Sequence, residues 1–202
     1  MKPFDFAHSD SHAMHERIRE YCPRFRGHYQ TREEMTEDMI RRLNEQIPEG
    51  SIVLHTGDIA LNWDEAIKFL NAVHVKWRVC FGNHDKGSKT NRKGWEQSRA
   101  KLLRECPNVI EIADEFIVNV GKHKVLCSHF PWAELSDERH ATKYMEYRPR
   151  RQDYPGVSFL LHGHIHSLPE ERLRDRALDI GWDAWGYAPS YEEIEGIINA
   201  RT

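Results

Sequence analysis

The sequence lacks a long hydrophobic run, an excess of charge of one sign and any pattern of paired cysteines. No stretch approaches the roughly 20 apolar residues that span a bilayer, and the first ten residues contain no apolar segment of the kind found in secretion signals. We therefore expect no membrane association and a cytoplasmic location. The 202 residues suffice for one domain with its own core, so we predict a single domain over residues 1–202.

Charge and cysteine content narrow the class further. The formal net charge is −3 and the isoelectric point is near 6.5, so no global basic field favours nucleic-acid binding. Nucleic acid is a possible partner that the charge pattern does not support. The sequence does not indicate an oligomeric state. Cys80 and Cys127 lie inside apolar runs, and none of the four cysteines forms a CxxC pair. This pattern favours reduced thiols packed in a core.

The first half of the sequence has the pattern of an α/β domain, in which apolar runs ending in polar loops alternate with helical periods. Strands are predicted over residues 4–8, 51–58 and 76–85, and helices over 31–47 and 64–73 connect them. Connections of this length imply parallel strands.

The second half begins with a predicted helix over residues 95–104 and then changes character. The runs "NVIEIA", "EFIVNV" and "HKVLCSHF" predict short strands joined by tight turns, and hence a second, more antiparallel sheet. Residues 130–156 show no clean period and are interpreted as a loop or insertion. Later strands are predicted in "VSFLLHGHIH" and "RALDIGW", and Ser190 with Glu193 predicts the cap of a terminal helix.

Five polar clusters each follow an apolar, strand-like run. They are "SDSH" (Asp10, His12), "GD" (Asp58), "GNHD" (Asn83, His84, Asp85), "SHFP" (His129) and "GHIH" (His164, His166). In α/β domains the chemistry lies where strands end, so we expect these loops to gather at one sheet edge. Residues two apart on an extended segment point the same way, which predicts that Asp10 with His12, and His164 with His166, each present two ligands together. The same alternation points His8 toward the metal side.

These donors suit two divalent ions better than one. Outside His84 they comprise three carboxylate or amide side chains and four imidazoles, and a lone tetrahedral zinc would leave ligands unused. Asp58 has two carboxylate oxygens and is expected to bridge ions roughly 3.5–4 Å apart. Such a pair makes a shared water acidic, and the resulting hydroxide can attack phosphorus in line. Manganese is our first choice, and iron, zinc, nickel and cobalt remain open.

The ordered motifs D-x-H, GD, GNHD, SH and GHxH, over residues 10–166, resemble those of the calcineurin-like metallophosphoesterase family. The stretches "EYC" and "LDIGWDAWGY" are similar to its small bacterial and phage-type branch. The resemblance implies a four-layer α/β/β/α sandwich of two mixed β-sheets flanked by helices. It also implies one ion held by Asp10, His12, Asp58 and His166, and a second held by Asp58, Asn83, His129 and His164.

The resemblance further implies that His84 and Asn83 contact the substrate phosphate and that His84 protonates the leaving group, while Asp58 takes part as the bridging ligand. The chain lacks the DRG extension after "GD" that is typical of protein Ser/Thr phosphatases, so a phosphoprotein substrate is disfavoured. Asp85 or a backbone carbonyl is then expected to orient His84. Two interpretations of His15 remain: a residue at the rim of the site, or a histidine at the start of a helix.

Three functions follow as hypotheses. The leading one is a dinuclear metal-dependent phosphodiesterase acting on nucleotide-like or other small substrates. A phosphomonoesterase with the same site is the first alternative. A non-catalytic interaction scaffold of the same fold is an alternative of another class; it predicts losses among the ligands, and all seven positions are present.

Overall fold

The computed structural model describes residues 2–135 and 144–201, and its strands form two sheets. The first sheet has the order β1-β2-β3-β4, with β1 (Phe6–His8), β2 (Ile52–His55), β3 (Lys76–Cys80) and β4 (Val109–Ala113). The second has the order β5-β6-β7-β9-β8, with β5 (Glu115–Val120), β6 (His123–Ser128), β7 (Phe159–His162), β8 (Leu173–Arg174) and β9 (Ala177–Asp179). In the second sheet β6, β7 and β9 are parallel, while β5 and β8 run antiparallel to their neighbours.

The described α-helices are α1 (Ile18–Tyr21), α2 (Pro23–Arg26), α3 (Arg32–Gln46), α4 (Trp63–Ala72), α5 (Trp95–Glu105), α6 (Trp182–Trp185) and α7 (Tyr191–Asn199). The predicted cap of the last helix is confirmed, because Ser190 accepts the backbone N–H of Glu193 and the Glu193 side chain accepts that of Ser190. The terminal helix therefore begins where the sequence pattern placed it.

The predicted sandwich of two sheets flanked by helices is confirmed by the way neighbouring side chains of β2 divide between two cores. Val53 packs with Leu43 and Phe69 in a core between the first sheet and helices α3 to α5. Leu54, the next residue, packs with Leu161 in a core between the two sheets. This division follows from the two-residue period of a strand, and it explains why both residues are apolar.

One prediction about the sheets is wrong. The strand β4, expected in the second sheet, pairs parallel to β3 in the first, and Asp114 alone separates it from β5. Because one residue connects them, the chain passes directly from one sheet to the other. The parallel pairing predicted for the first half is confirmed, because all described strands of the first sheet are parallel and helical crossovers connect them.

The segment predicted as an insertion, residues 130–156, falls partly outside the described residues, which omit 136–143. Its described part contains short 3₁₀ turns at Met145–Tyr147 and Arg151–Asp153. Trp132 and Tyr154 pack against the outer face of the second sheet. Among the helices described, none has the length and apolar character needed to cross a bilayer.

Candidate metal centre

All seven side chains predicted as ligands lie at the carboxyl ends of strands. Because β1, β2 and β3 are parallel, and β6 and β7 are parallel, these ends lie at one edge of each sheet and the loops meet across the interface between the sheets. The ligands after the first-sheet strands are Asp10, His12, Asp58 and Asn83, and those after the second-sheet strands are His129, His164 and His166.

One group of donors comprises Asp10, His12 and His166. Asp10 Oδ1 lies 3.9 Å from His12 Nε2 and 3.9 Å from His166 Nε2, and the two imidazole centroids are 5.0 Å apart. Asp10 and His12 are buried, and the His166 side chain is 19% exposed. We call this set the first group.

The second group comprises Asp58, Asn83, His129 and His164. His129 Nε2 lies 3.1 Å from Asn83 Oδ1, 3.2 Å from His164 Nδ1 and 3.4 Å from Asp58 Oδ2. The same Asp58 oxygen is 3.7 Å from His12 Nε2 of the first group. One carboxylate oxygen therefore lies between the two groups, as a bridging ligand would.

The side chains converge through left-handed backbone, and the predicted mechanism of convergence, extended residues two apart pointing the same way, is wrong. Five of the seven have positive φ: Asp10 (55°), His12 (46°), Asp58 (55°), His164 (74°) and His166 (48°). For a non-glycine residue this conformation costs about 1 kcal/mol or more and persists only where the surroundings enforce it. Such strain concentrates at functional sites, and here it turns alternate side chains into one pocket.

Glycines make room for the two central carboxylates. A side chain on Gly82 would collide with Asp58 Oδ1 and lie 2.7 Å from Asp58 Cγ. A side chain on Gly163 would collide with Asp10 Oδ2 and lie 3.0 Å from Ser9 Cβ. The glycines of "GNHD" and "GHIH" are therefore needed because the carboxylates occupy the space of a β-carbon.

A buried hydrogen-bond chain supports the D-x-H loop from beneath. The backbone N–H of Gly57 donates to His55 Nδ1, so His55 Nε2 carries the proton and donates to Ser11 Oγ at 2.8 Å. Ser11 Oγ in turn lies 2.9 Å from His8 Nε2. His8 also packs against Trp182, so it belongs to the core below the site and not, as alternation predicted, to the metal side.

The hydrogen bonds of two site histidines engage Nδ1 and turn Nε2 toward the pocket, as metal ligation through Nε2 requires. His129 Nδ1 lies 3.0 Å from the carbonyl of Thr56, and His166 Nδ1 lies 2.7 Å from Asp183 Oδ2. Both partners accept, so each Nδ1 carries a proton, and Nε2 is the nitrogen that each ring would offer to a metal ion. Within the described part of the chain neither ring nitrogen of buried His12 has a hydrogen-bond partner. These residues fit a pair of divalent ions.

Burial and mutual charge shift the pKa values of the central groups. Burial raises the pKa of Asp10 to about 6. Burial alone would also raise the pKa of Asp58, but His129 outweighs it and holds that pKa well below its ordinary value. Burial would lower the pKa of His129, yet Asp58 raises it to about 9. The carboxylate of Asp58 thus favours a positive charge beside it, which a bound metal ion would supply in place of the His129 imidazolium.

His84 lies at the margin of the first group. Its backbone N–H donates to Asp58 Oδ1 at 2.9 Å, and its ring centroid is 5.4 Å from that of His12. Asp85 is engaged elsewhere, because its two carboxylate oxygens accept the backbone N–H groups of residues 58, 59 and 82. Asp85 therefore ties two ligand loops together. His15 is half-buried, with its ring 5.5 Å from that of His12, which corresponds to the rim position.

Two buried residues of the site were missed by the sequence analysis. Asp183 accepts from His166, and Arg26 forms a two-pronged ion pair with Asp183. Asp183 follows β9, so the rule that chemistry lies where strands end, applied to "RALDI", would have pointed to it. Arg26 lies in a short helix without a signal of its own, and only the fold brings it to the site.

Facing sheets with oxygen and imidazole donors on their carboxyl-end loops define a two-sheet α/β protein with a candidate dinuclear metal centre. The model of the calcineurin-like phosphoesterase superfamily domain matches residues 6–178. The chain therefore belongs to the calcineurin-like phosphoesterase superfamily, whose members are generally phosphoester hydrolases, and the predicted family is confirmed.

One curated protein is similar to this chain in sequence, and one solved structure is similar to it in fold. The Gene 66 protein of Mycobacterium phage L5 is 28% identical over 127 residues, a match that spans 60% of this chain and 58% of the length of that protein. This match to a phage protein supports the predicted phage-type branch. The Aquifex aeolicus protein AQ665, of unknown function, has the same fold, with a TM-score of 0.68, 22% identity, and coverage of 96% of this chain and 98% of its own.

Proposed function

We propose that this chain is a metal-dependent phosphoesterase that hydrolyses small phosphodiesters, including nucleotide-like ones, with two divalent ions, manganese being the first choice. The proposal rests on Asp58 Oδ2, which lies 3.7 Å from His12 Nε2 and 3.4 Å from His129 Nε2. A carboxylate oxygen between two donor groups is what a pair of ions a few ångströms apart requires. Membership of a superfamily of phosphoester hydrolases supports the reaction class.

The two donor groups would hold the ions, with Asp58 common to both. When bound, the ions would make a shared water acidic and neutralise the charge that develops on the phosphoryl oxygens. The protein orients the imidazole rings so that Nε2 faces the ions. The Thr56 carbonyl accepts from His129 Nδ1, and the Asp183 carboxylate accepts from His166 Nδ1, which leaves Nε2 of each ring as the ligand atom.

His84 would supply the proton that the leaving group needs. Its backbone is fixed by the hydrogen bond to Asp58 Oδ1, and its ring, partly exposed beside His12, borders the first group. An imidazole in this position can reach the oxygen of a departing alcohol and contact the phosphate together with Asn83. A proton donor separate from the ligands is compatible with all seven donors remaining on the ions.

The size of a cleft beside the second group favours the proposal of a small substrate. It has a volume of about 280 Å³ and is lined by His129, Phe130, Lys89, Thr90 and Tyr147, among others. Its aromatic and hydroxyl side chains can contact an organic substituent of a phosphoester. Lys89 is paired with Asp114 at 2.5 Å, so its charge is partly neutralised before any substrate binds.

The test compares two chromogenic esters on protein that has been stripped with a chelator and reloaded with Mn²⁺. We expect hydrolysis of bis(p-nitrophenyl) phosphate with a higher kcat/KM than that of p-nitrophenyl phosphate. A clear preference for the monoester would replace the proposal by a phosphomonoesterase. If fully loaded protein hydrolyses neither ester, the non-catalytic scaffold is the better description.

A further inference from the structure

Arg26 is a fully buried cation beneath the first donor group. Its Nε donates to Asp183 Oδ1 at 2.7 Å, and its Nη2 donates to Asp183 Oδ2 at 2.9 Å. The remaining contacts go to backbone: Nη1 donates to the carbonyl of Ser11 at 2.9 Å, and Nη2 donates to that of Asp10 at 2.6 Å. A buried charge is costly unless it is paired and hydrogen-bonded, and here each of the three guanidinium nitrogens donates at least one hydrogen bond.

Asp183 links Arg26 to His166, another ligand of the first group. The Oδ2 that accepts from Arg26 also accepts from His166 Nδ1, at 2.7 Å. This bond directs His166 Nε2 toward Asp10, whose Oδ1 is 3.9 Å away. One carboxylate therefore orients the ring, while its arginine partner holds the backbone of Asp10.

The backbone held in this way is strained. Asp10 and His12 both have positive φ, a conformation that needs enforcement from outside the loop. The carbonyls of Asp10 and Ser11 lie within this strained turn, and both accept from Arg26. The arginine thus holds the turn in the conformation that points the ligands inward.

We propose that Arg26 and Asp183 form a buried clamp that positions Asp10 and His166 for one ion, without touching the ion themselves. The inference rests on the proposed function, because it assumes a dinuclear centre. Among the described residues, the hydrogen bonds of this pair reach the first group and none reaches the second. The clamp therefore acts on one ion of the two.

The test measures Mn²⁺ affinity by isothermal titration calorimetry on chelator-stripped protein. Asp183→Asn keeps the shape of the side chain but removes its charge, and Arg26→Lys keeps the charge but loses the fork. In either variant we expect one of two binding events to weaken by about 10- to 100-fold, the usual cost of losing a partner that orients a ligand. The control Glu111→Gln breaks an ion pair with Arg78 on strands β3 and β4, and should leave both events unchanged.

A kinetic readout separates positioning from a general structural role. In Asp183→Asn the Mn²⁺ concentration for half-maximal phosphodiesterase activity should rise, while kcat at saturating Mn²⁺ returns close to the wild-type value. Circular dichroism checks the fold, and Arg26→Lys carries the test if Asp183→Asn does not fold.

The outcomes separate the two proposals. Unchanged affinity at both sites in folded variants, or equal weakening of both, would overturn the clamp while the phosphoesterase proposal stands. If the wild type binds no ion, both proposals fall. Weakening of one site alone, reversed by excess Mn²⁺, supports the clamp.

Discussion

Replacing Gly82 by alanine should disable the centre with one added methyl group. The new β-carbon would collide with Asp58 Oδ1 and lie 2.6 Å from Asp58 N and 2.7 Å from Asp58 Cγ. Ordinary carbon contacts are about 3.5–4.0 Å, so the carboxylate must retreat by about 1 Å. Metal–ligand distances tolerate only about 0.2 Å, and a displacement of about 1 Å near reacting groups can cost about 10²-fold in rate.

We therefore expect Gly82→Ala to lower kcat/KM for bis(p-nitrophenyl) phosphate by about 10²-fold or more, and to lower the free energy of unfolding by about 1–3 kcal/mol through overpacking. Bound Mn²⁺ is counted by elemental analysis and stability is measured in urea. The matched control is Gly196→Ala in α7, where an added β-carbon meets nothing within 4 Å; it should keep activity and gain about 0.5–1 kcal/mol. A folded Gly82→Ala protein with full activity and two ions would refute the reasoning.

Three further predictions concern the site and its support. His84→Ala should keep both ions by elemental analysis while kcat falls about 10²- to 10⁴-fold, and loss of an ion would instead make His84 a ligand. Asp58→Asn should reduce Mn²⁺ below two per chain, because an amide bridges ions poorly, and normal loading would contradict bridging. Burial lowers the pKa of His8 from 6.5 to about 3, so as pH falls below 6.5 the unfolded chain takes up this proton first and stability is lost. That loss is about 1.4 kcal/mol per pH unit until about pH 3. Urea titrations should find this slope reduced in His8→Leu and kept in the exposed-site control His74→Gln.

The elements and ligand loops could be predicted because their signals are local. Apolar runs mark the strands, and each ligand follows such a run within a few residues, so strand ends and site residues were found together. The sheet assignment of β4 could not be obtained in this way, because "NVIEIA" suits either sheet. What decides it is Val109 packing into the core under the helices, a contact between distant segments.

The geometry of the ligands was less accessible than their identity. Asp10 and His12 read as an extended pair, yet both have positive φ, because Arg26 and neighbouring loops hold them there. Arg26 and Asp183 are 157 positions apart, and no periodicity connects them. A sequence pattern records which residue types occur, whereas the enforced backbone of a strained turn depends on groups that only the folded chain brings near.

The division of the ligands between two sheets bears on the order of assembly. Asp10, His12, Asp58 and Asn83 follow strands of one sheet, and His129, His164 and His166 follow strands of the other. Neither half carries all the ligands of either proposed ion, so tight binding of the proposed ions must await docking of the halves. The candidate metal site is therefore a product of the tertiary fold, and either sheet on its own would offer only part of the ligand set.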